Sequence, residues 1–206
     1  VFDLDGTLLD SRGAVSDYTR DTLARLTLNL PLNAFSVRDW TGSAESREGV
    51  VPGNTGCTLQ SMVLNRPGPG QRYEIDLAAF EAAIQPRTRI FVLCNPHNPV
   101  GRVFTRRELE DMAEICLRHD LVICSDEIHC DLVFPGHRHL PIASLDPEIE
   151  ARTITLMAPS KTYNIAGLHA SVAVIPNPEL RQRFVAAQRG IVPHLDLMGH
   201  AAMLAA

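Results

Sequence analysis

The residue that directs attention to chemistry is Lys161, the only lysine in the chain, in the stretch MAPSKTYNIAGLH (157–169). Lys and Arg together number 19, so the remaining eighteen basic residues are arginines. An arginine guanidinium stays charged, whereas a desolvated lysine amine can lose its proton and attack a carbonyl carbon. On composition alone, an ordinary surface lysine is the alternative. The residues that surround Lys161 must decide between a nucleophile and a surface charge.

Polar side chains follow three apolar segments of the chain. Ligands of open α/β sheets bind beyond the carboxyl ends of parallel strands, so residues directly after each strand are candidates for a site. An amine, a carboxylate and an amide at one such edge suit pyridoxal phosphate, with a Schiff base on the amine, the carboxylate on the pyridine nitrogen and the amide on the ring hydroxyl. These residues are Asn95 and Asn98 after RIFVLC, Asp126, Glu127 and His129 after LVICS, and Ser160 and Lys161 after TITLM.

Alternating strand and helix patterns must position these residues. TRRELEDMAEICLRH (105–119) begins with Thr105 and has Glu108 three residues later, which is a helix-start signature. Its residues Leu109, Met112, Ala113 and Cys116 recur with helical spacing, which predicts a buried face. The pattern predicts an α/β fold with a largely parallel sheet. The predicted strands are 89–94, 121–124, 153–157 and 170–175, and further helices are 75–84, begun by Asp76, and one that starts at Pro178 after Asn177.

Composition narrows the class of ligand and the compartment. A chain of 206 residues with 45% hydrophobic residues can bury a sizeable core, and its net charge of -5 argues against nucleic acid or an anionic membrane as a partner. Small molecules are the expected ligands. Because no secretory leader or bilayer-spanning apolar run is present in the sequence, a cytoplasmic location is expected. The five cysteines form no CxxC pair and are expected to be reduced: Cys57, Cys94, Cys116, Cys124 and Cys130.

Three motifs follow one another along the chain: NPHNPVGR, SDEIHCDLVFPGHRHLPIASL and APSKTYNIAGLHAS. They resemble motifs of fold-type I pyridoxal-phosphate enzymes, the class I/II aminotransferase superfamily, and the resemblance runs from about Arg72 to the end of the chain. More narrowly, they are similar to the MalY/PatB branch of cystathionine and cysteine-conjugate β-lyases. The implied fold is a partial large domain with a mostly parallel sheet flanked by helices.

The resemblance assigns a role to each motif residue. Lys161 would form the Schiff base and move the substrate Cα proton, and Asp126 would keep the pyridine nitrogen protonated. Asn98 would bind the ring oxygen, and Ser160 would help to hold the phosphate. His129 stands three residues after Asp126, where many aminotransferases have a tyrosine, and His169 stands where they have an arginine. Both departures favour the β-lyase branch.

The implied reaction is α,β-elimination from an L-cysteine S-conjugate such as cystathionine, which yields a thiol, pyruvate and ammonia. An aminotransferase of class I/II and a remnant that binds pyridoxal phosphate without turnover are the alternatives within this family. Members of the family are about twice as long as this chain and usually form homodimers, so the resemblance implies a homodimer and a shortened chain.

The beginning of the chain resembles a different family. VFDLDGTLLDS (1–11) is similar to motif I of Cof-like haloacid-dehalogenase phosphatases, in which Asp3 would be the nucleophile and Asp5 the general acid/base beside Mg²⁺. The later Gly-Asp or Asp-Asp pair of that family is absent from the sequence. A Mg²⁺-dependent phosphatase therefore remains the alternative function outside the pyridoxal-phosphate class.

These resemblances divide the chain into three segments. Residues 1–35 are predicted to be the phosphatase-like βα fragment, 36–71 a junction with an internal deletion, and 72–206 the partial aminotransferase-like large domain. No metal site is predicted for the second motif, because its candidate ligands do not follow structural-zinc spacings. Those candidates are Cys124, His129, Cys130, His137 and His139.

Overall fold

The structure is a computed structural model that describes residues 33–38, 58–65, 68, 71–188 and 195–206. Asp3, Asp5 and Cys57 lie outside these ranges, as does most of the predicted fragment 1–35 and much of the predicted junction. The phosphatase alternative and the three-segment division therefore stay predictions.

A six-stranded sheet organises the described residues. The strand order is β2-β1-β3-β4-β5-β6, and every neighbouring pair is parallel except β5 and β6. The predicted α/β fold with a mostly parallel sheet is confirmed. The strands are β1 (Asn33–Arg38), β2 (Thr58–Val63), β3 (Thr88–Cys94), β4 (Val122–Asp126), β5 (Thr153–Met157) and β6 (Val172–Val174).

Within the described ranges the strands are accompanied by five helices, of which the first three lie between consecutive strands. They are α1 (Leu77–Ala83), α2 (Arg106–Arg118), α3 (Pro147–Ala151), α4 (Pro178–Gln188) and α5 (Leu197–Ala205), with short 3₁₀ turns at Ile142–Ser144 and Ala166–Leu168. None of the helices within the described ranges has the length and apolar character needed to cross a bilayer.

The helix starts follow from side chains that satisfy free backbone amides. Thr105 and Glu108 form the predicted capping box of α2, in which each side chain bonds to the backbone of the other residue. Asp76 caps α1 by accepting a hydrogen bond from the Ala79 amide at 2.9 Å. Asn177 Oδ1 accepts from the amides of Glu179 and Leu180 at the start of α4. These three predicted helix starts are confirmed.

Three features of the sheet differ from the sequence prediction. Strands β1 and β2 are not among the predicted strands, because an interrupted pattern of six residues cannot be separated from a loop by periodicity. The predicted strand 121–124 runs two residues further, so Asp126 is the last residue of β4 rather than a residue after it. The predicted strand 170–175 is shorter and antiparallel to β5.

The main core lies between the sheet and helices α1 and α2. The rings of Phe80 on α1 and Phe91 on β3 meet edge to face, with their centroids 4.9 Å apart. The predicted stripe of α2 is buried against the same cluster, which confirms that face of the helix. A smaller cluster packs α4 against β5 and consists of Ile154, Leu156, Ile175 and Phe184. The main core therefore covers β3 and fixes the position at which this strand ends.

Phe91→Ala tests this core against Phe134→Ala, which removes the same atoms from a surface loop. Phe91 is 0% exposed and Phe134 is 82% exposed. We expect Phe91→Ala to lower the free energy of unfolding by about 3–5 kcal/mol, since it removes buried ring contacts and leaves a cavity. Phe134→Ala should change it by less than about 0.5 kcal/mol. Urea denaturation followed by circular dichroism measures both values, and equal losses would contradict the packing described for β3.

Candidate active site

The ends of three neighbouring parallel strands bring the predicted site residues to one edge of the sheet. In the register, Cys94 at the end of β3 pairs with Asp126, and Asp126 pairs with Leu156 near the end of β5. The turn that contains Asn98 follows β3, and Lys161 lies four residues after β5 ends. Strand order β3-β4-β5 therefore places the amide turn and the lysine turn on either side of Asp126.

Asp126 is buried at the centre of this edge. Its carboxylate accepts a hydrogen bond from the Ile128 amide at 3.2 Å, and its backbone carbonyl accepts one from the Asn95 amide at 3.0 Å. Burial of a carboxylate is costly unless hydrogen bonds or an opposite charge compensate. A protonated ring nitrogen is a group of that kind, so the environment of Asp126 suits its predicted role.

The turn after β3 is fixed by its first residue, Asn95. Its side chain is buried, accepts from the Phe104 amide at 3.1 Å and donates to the Leu140 carbonyl at 3.4 Å. Within the turn, the His97 amide donates to the Arg102 carbonyl at 2.7 Å. Asn98 lies at the exposed part of this turn. Sequence reasoning noted Asn95 only as a polar neighbour, because its partners lie nine and 45 residues away.

Arg102 and Glu108 anchor the same turn to helix α2. Nη2 of the buried Arg102 donates to both carboxylate oxygens of Glu108, at 2.7 and 2.6 Å. Its guanidinium lies over the Phe104 ring, 4.3 Å from the centroid, and it also donates to the Tyr73 carbonyl. Burial acts to raise the pKa of Glu108, but hydrogen bonds from Arg102 and Thr105 outweigh it, and the pKa lies below its usual value of 4.5.

The turn after β5 presents Ser160 and Lys161. The Tyr163 amide donates to the Pro159 carbonyl at 3.0 Å and the Ile165 amide donates to the Ser160 carbonyl at 3.1 Å, so the backbone of this turn is closed. Ser160 is 6% exposed, and among the described residues its hydroxyl has no hydrogen-bond partner. A buried hydroxyl of this kind needs a partner, and a phosphate oxygen would provide one.

His129 lies half-buried in the turn that follows β4, beside Cys130. Burial raises the pKa of the Cys130 thiol to about 11, and the nearby charges of Asp131 and Glu127 act in the same direction. The cysteine is therefore a thiol at neutral pH and a weak nucleophile. Cys94, Cys116 and Cys124 are likewise outside any disulfide in the described part of the chain, to which Cys57 does not belong.

The second motif contains a buried hydrogen-bonded group that sequence reasoning did not recognise. Glu127 accepts from Ser125 Oγ and from His139 Nε2. The sequence shows His139 only as a candidate zinc ligand, because its partner is twelve residues away across an irregular loop. Within the ranges that the structure describes, no three His, Cys, Asp or Glu side chains are grouped to hold a metal ion.

Comparison with known proteins identifies the family of the chain. The sequence profile of the family "Aminotransferase class I and II" matches residues 54–206, so the chain belongs to that family. The resemblance stated from the three motifs is confirmed, and the match begins upstream of Arg72, where β2 lies.

Individual relatives lie on both sides of the lyase and aminotransferase division. The chain is 43% identical over 130 residues to cystathionine beta-lyase PatB of Bacillus subtilis, covering 63% of this chain and 33% of that protein. It is 42% identical over 100 residues to kynurenine–oxoglutarate transaminase 1 of Rattus norvegicus, covering 48% of this chain and 23% of that protein.

A solved structure supports the same fold. Cystalysin of Treponema denticola, whose structure contains pyridoxal 5'-phosphate, is 30% identical with a TM-score of 0.79, over 92% of this chain and 47% of cystalysin. The chain thus spans about half the length of this relative.

Glu108→Gln tests the anchor of the Asn98 turn. A carboxylate with a lowered pKa in the folded state stabilises the protein above its unfolded pKa, and this stabilisation is lost as pH falls through the folded pKa. We expect the substitution to cost about 2 kcal/mol at about pH 7, and clearly less at about pH 4.

The matched control is Glu110→Gln on the same helix, where Glu110 forms an exposed pair with Arg106 at 3.2 Å. It should cost less than about 0.5 kcal/mol at either pH. Urea titrations of the three proteins at both pH values give these differences. If the loss of unfolding free energy in Glu108→Gln is the same at both pH values, the charge of Glu108 does not stabilise the folded protein.

Proposed function

We propose that the chain is the cofactor-binding part of a pyridoxal-phosphate-dependent carbon–sulfur β-lyase that acts on cystathionine or related L-cysteine S-conjugates. The observation that carries the proposal is the convergence of Asp126, the Asn98 turn and the Ser160–Lys161 turn on the carboxyl ends of β3, β4 and β5. The buried Ser160 hydroxyl fits a phosphate oxygen, and the buried Asp126 carboxylate fits a protonated ring nitrogen.

The chemical roles follow from the side chains. Pyridoxal phosphate, when bound, supplies a conjugated ring that accepts the electron pair left by removal of the substrate Cα proton. The amine nitrogen of Lys161 would have two roles. It would bind the aldehyde carbon of the cofactor, and, once the substrate amine has displaced it, it would take the Cα proton as the base. Asp126 would hold a proton on the ring nitrogen, Asn98 would bind the ring oxygen, and Ser160 would donate to the phosphate.

Similarity to PatB and cystalysin supports elimination as the reaction, and His129 and His169 stand where many aminotransferases have a tyrosine and an arginine. The kynurenine–oxoglutarate transaminase supports the second candidate, transfer of the amino group to a 2-oxo acid. The two reactions differ in products, since only elimination releases a thiol and pyruvate from the amino-acid substrate. We also propose a homodimer, which the family resemblance supports.

Reduction with borohydride tests the proposal directly. The purified protein is mixed with pyridoxal phosphate, reduced, digested and analysed by peptide mass. We expect the modification on Lys161, because it carries the only ε-amine of the chain, and its loss in Lys161→Arg. Pyruvate and thiol release from cystathionine is then measured, with amino transfer to a 2-oxo acid as the parallel assay.

The outcomes separate the candidates. A folded protein with unmodified Lys161 would refute the cofactor site, and phosphate release through Asp3 with Mg²⁺ would become the next assay. Modification of Lys161 with amino transfer alone would refute the lyase. Modification with neither reaction would identify a cofactor-binding remnant.

Ser160→Ala tests the proposed phosphate contact. We expect it to weaken binding of pyridoxal phosphate roughly 10- to 100-fold, since a hydrogen bond to a charged group contributes about 1.5–3 kcal/mol. Ser144→Ala is the matched control, because the exposed Ser144 hydroxyl already donates to the Pro141 carbonyl at 2.7 Å. Equilibrium dialysis measures both affinities. Equal affinities for Ser160→Ala and for the protein without substitutions would exclude the contact.

A further inference from the structure

A buried group of three side chains lies beside Asp126, and the proposed reaction does not use it. Glu127 is 0% exposed, and its Oε1 accepts a hydrogen bond from Ser125 Oγ at 2.8 Å. Its Oε2 lies 2.7 Å from Nε2 of His139, whose side chain is 9% exposed. Because a carboxylate only accepts hydrogen bonds, Nε2 is the donor. Each oxygen of the buried carboxylate therefore has one donor, and the His139 contact joins the end of β4 to a residue twelve positions later.

This group lies on the side of β4 opposite to Asp126. Glu127 directly follows β4, and its amide still bonds to the Leu156 carbonyl of β5. Successive side chains of an extended segment point to opposite faces, so Ser125 and Glu127 share one face and Asp126 has the other. The hydrogen bond between Ser125 and Glu127 agrees with this alternation. His139 thus holds the end of β4 from behind the carboxylate that faces the proposed cofactor.

The backbone on both sides of Asp126 is held as well. The Asp126 carbonyl accepts from the Asn95 amide at 3.0 Å, and the Glu127 amide donates to the Leu156 carbonyl at 2.9 Å. Leu140, directly after His139, accepts from the Asn95 side chain at 3.4 Å. The loop after β4 is therefore bonded to Glu127 through His139 and to the turn after β3 through Leu140.

We infer that Glu127 and His139 are positioning residues that fix the direction of the Asp126 carboxylate; the inference rests on the proposed cofactor site. Without the His139 donor, one oxygen of a fully buried carboxylate has lost its partner, and such a group is costly enough to move the strand end toward solvent or a new donor. Movement of Glu127 rotates the backbone that also carries Asp126. The carboxylate then loses its alignment with the ring nitrogen.

Four variants test this inference. His139→Leu removes the donor, and His139→Gln keeps an amide N–H that reaches the position of Nε2. His139→Asn carries the same amide on a side chain too short to reach Glu127, which provides a polar replacement if the leucine variant fails to fold. His137→Leu is the control, because His137 is exposed in the same loop. Circular dichroism and urea denaturation select conditions under which each protein is folded.

Two properties are measured on the folded proteins. The first is the affinity for pyridoxal phosphate, by equilibrium dialysis. The second is the pH midpoint of the visible absorption change of the bound cofactor, which reports protonation of the nitrogen that joins it to Lys161. A protonated ring nitrogen disfavours a second positive charge on the same conjugated system, so a misaligned Asp126 should raise this midpoint. Loss of folding stability alone does not move it.

We expect His139→Leu and His139→Asn to bind pyridoxal phosphate at least about 10-fold more weakly and to raise the midpoint by about one pH unit. His139→Gln and His137→Leu should stay within about threefold of the unmodified protein. The inference is overturned if the folded leucine or asparagine variant keeps the affinity and the midpoint of the original protein. It is also overturned if the glutamine variant is as impaired as the asparagine variant. Either result leaves the proposed function standing. No binding by the unmodified protein would overturn both the proposed function and this inference.

Discussion

The parallel register of β3, β4 and β5 is the constraint on which the candidate site depends. Parallel strands in register end at the same edge, so three turns that are distant in sequence meet there. The buried Phe80 and Phe91 rings and the apolar face of α2 support β3, while α4 supports β5. The core therefore determines the position of the site through the strands, and a change in strand register would separate Asp126 from both turns.

The chemistry of this edge requires charges and polar groups to be buried, and hydrogen bonds within the protein compensate several of them. Asn95 satisfies a backbone amide and a backbone carbonyl, and Glu108 neutralises the buried Arg102. Glu127 has one donor for each of its oxygens. Within the described residues the Ser160 hydroxyl has no partner. Nε of Arg102 and Nδ1 of His139 have none either, but those side chains are held through another nitrogen, whereas the hydroxyl is the single polar group of the Ser160 side chain. The position of that unsatisfied hydroxyl, next to the only lysine, is the clearest physical sign that the edge is built for a ligand.

Much of this arrangement could be predicted from sequence where the cause is local. The capping box of α2, the cap of α4 and strand β5 depend on residues within a few positions of one another, and each was found at the expected place. The three motif turns could be placed at strand ends for the same reason. Strands β1 and β2 could not, because their own pattern of six residues is weak. The contacts of Asn95 and His139 were missed for a related reason, since hydrogen bonds across long loops leave no periodic signal in the sequence.

The ties between the loops have an entropic consequence. Asn95, Arg102 and His139 hold the turns after β3 and β4 through contacts made by the protein itself. A ligand that binds to ordered turns loses its own freedom but does not have to immobilise flexible segments of the receptor, which would otherwise weaken its affinity. Preorganisation of this kind allows a small, highly charged molecule to be held by a few hydrogen bonds, because little of their favourable free energy is consumed in ordering the polypeptide.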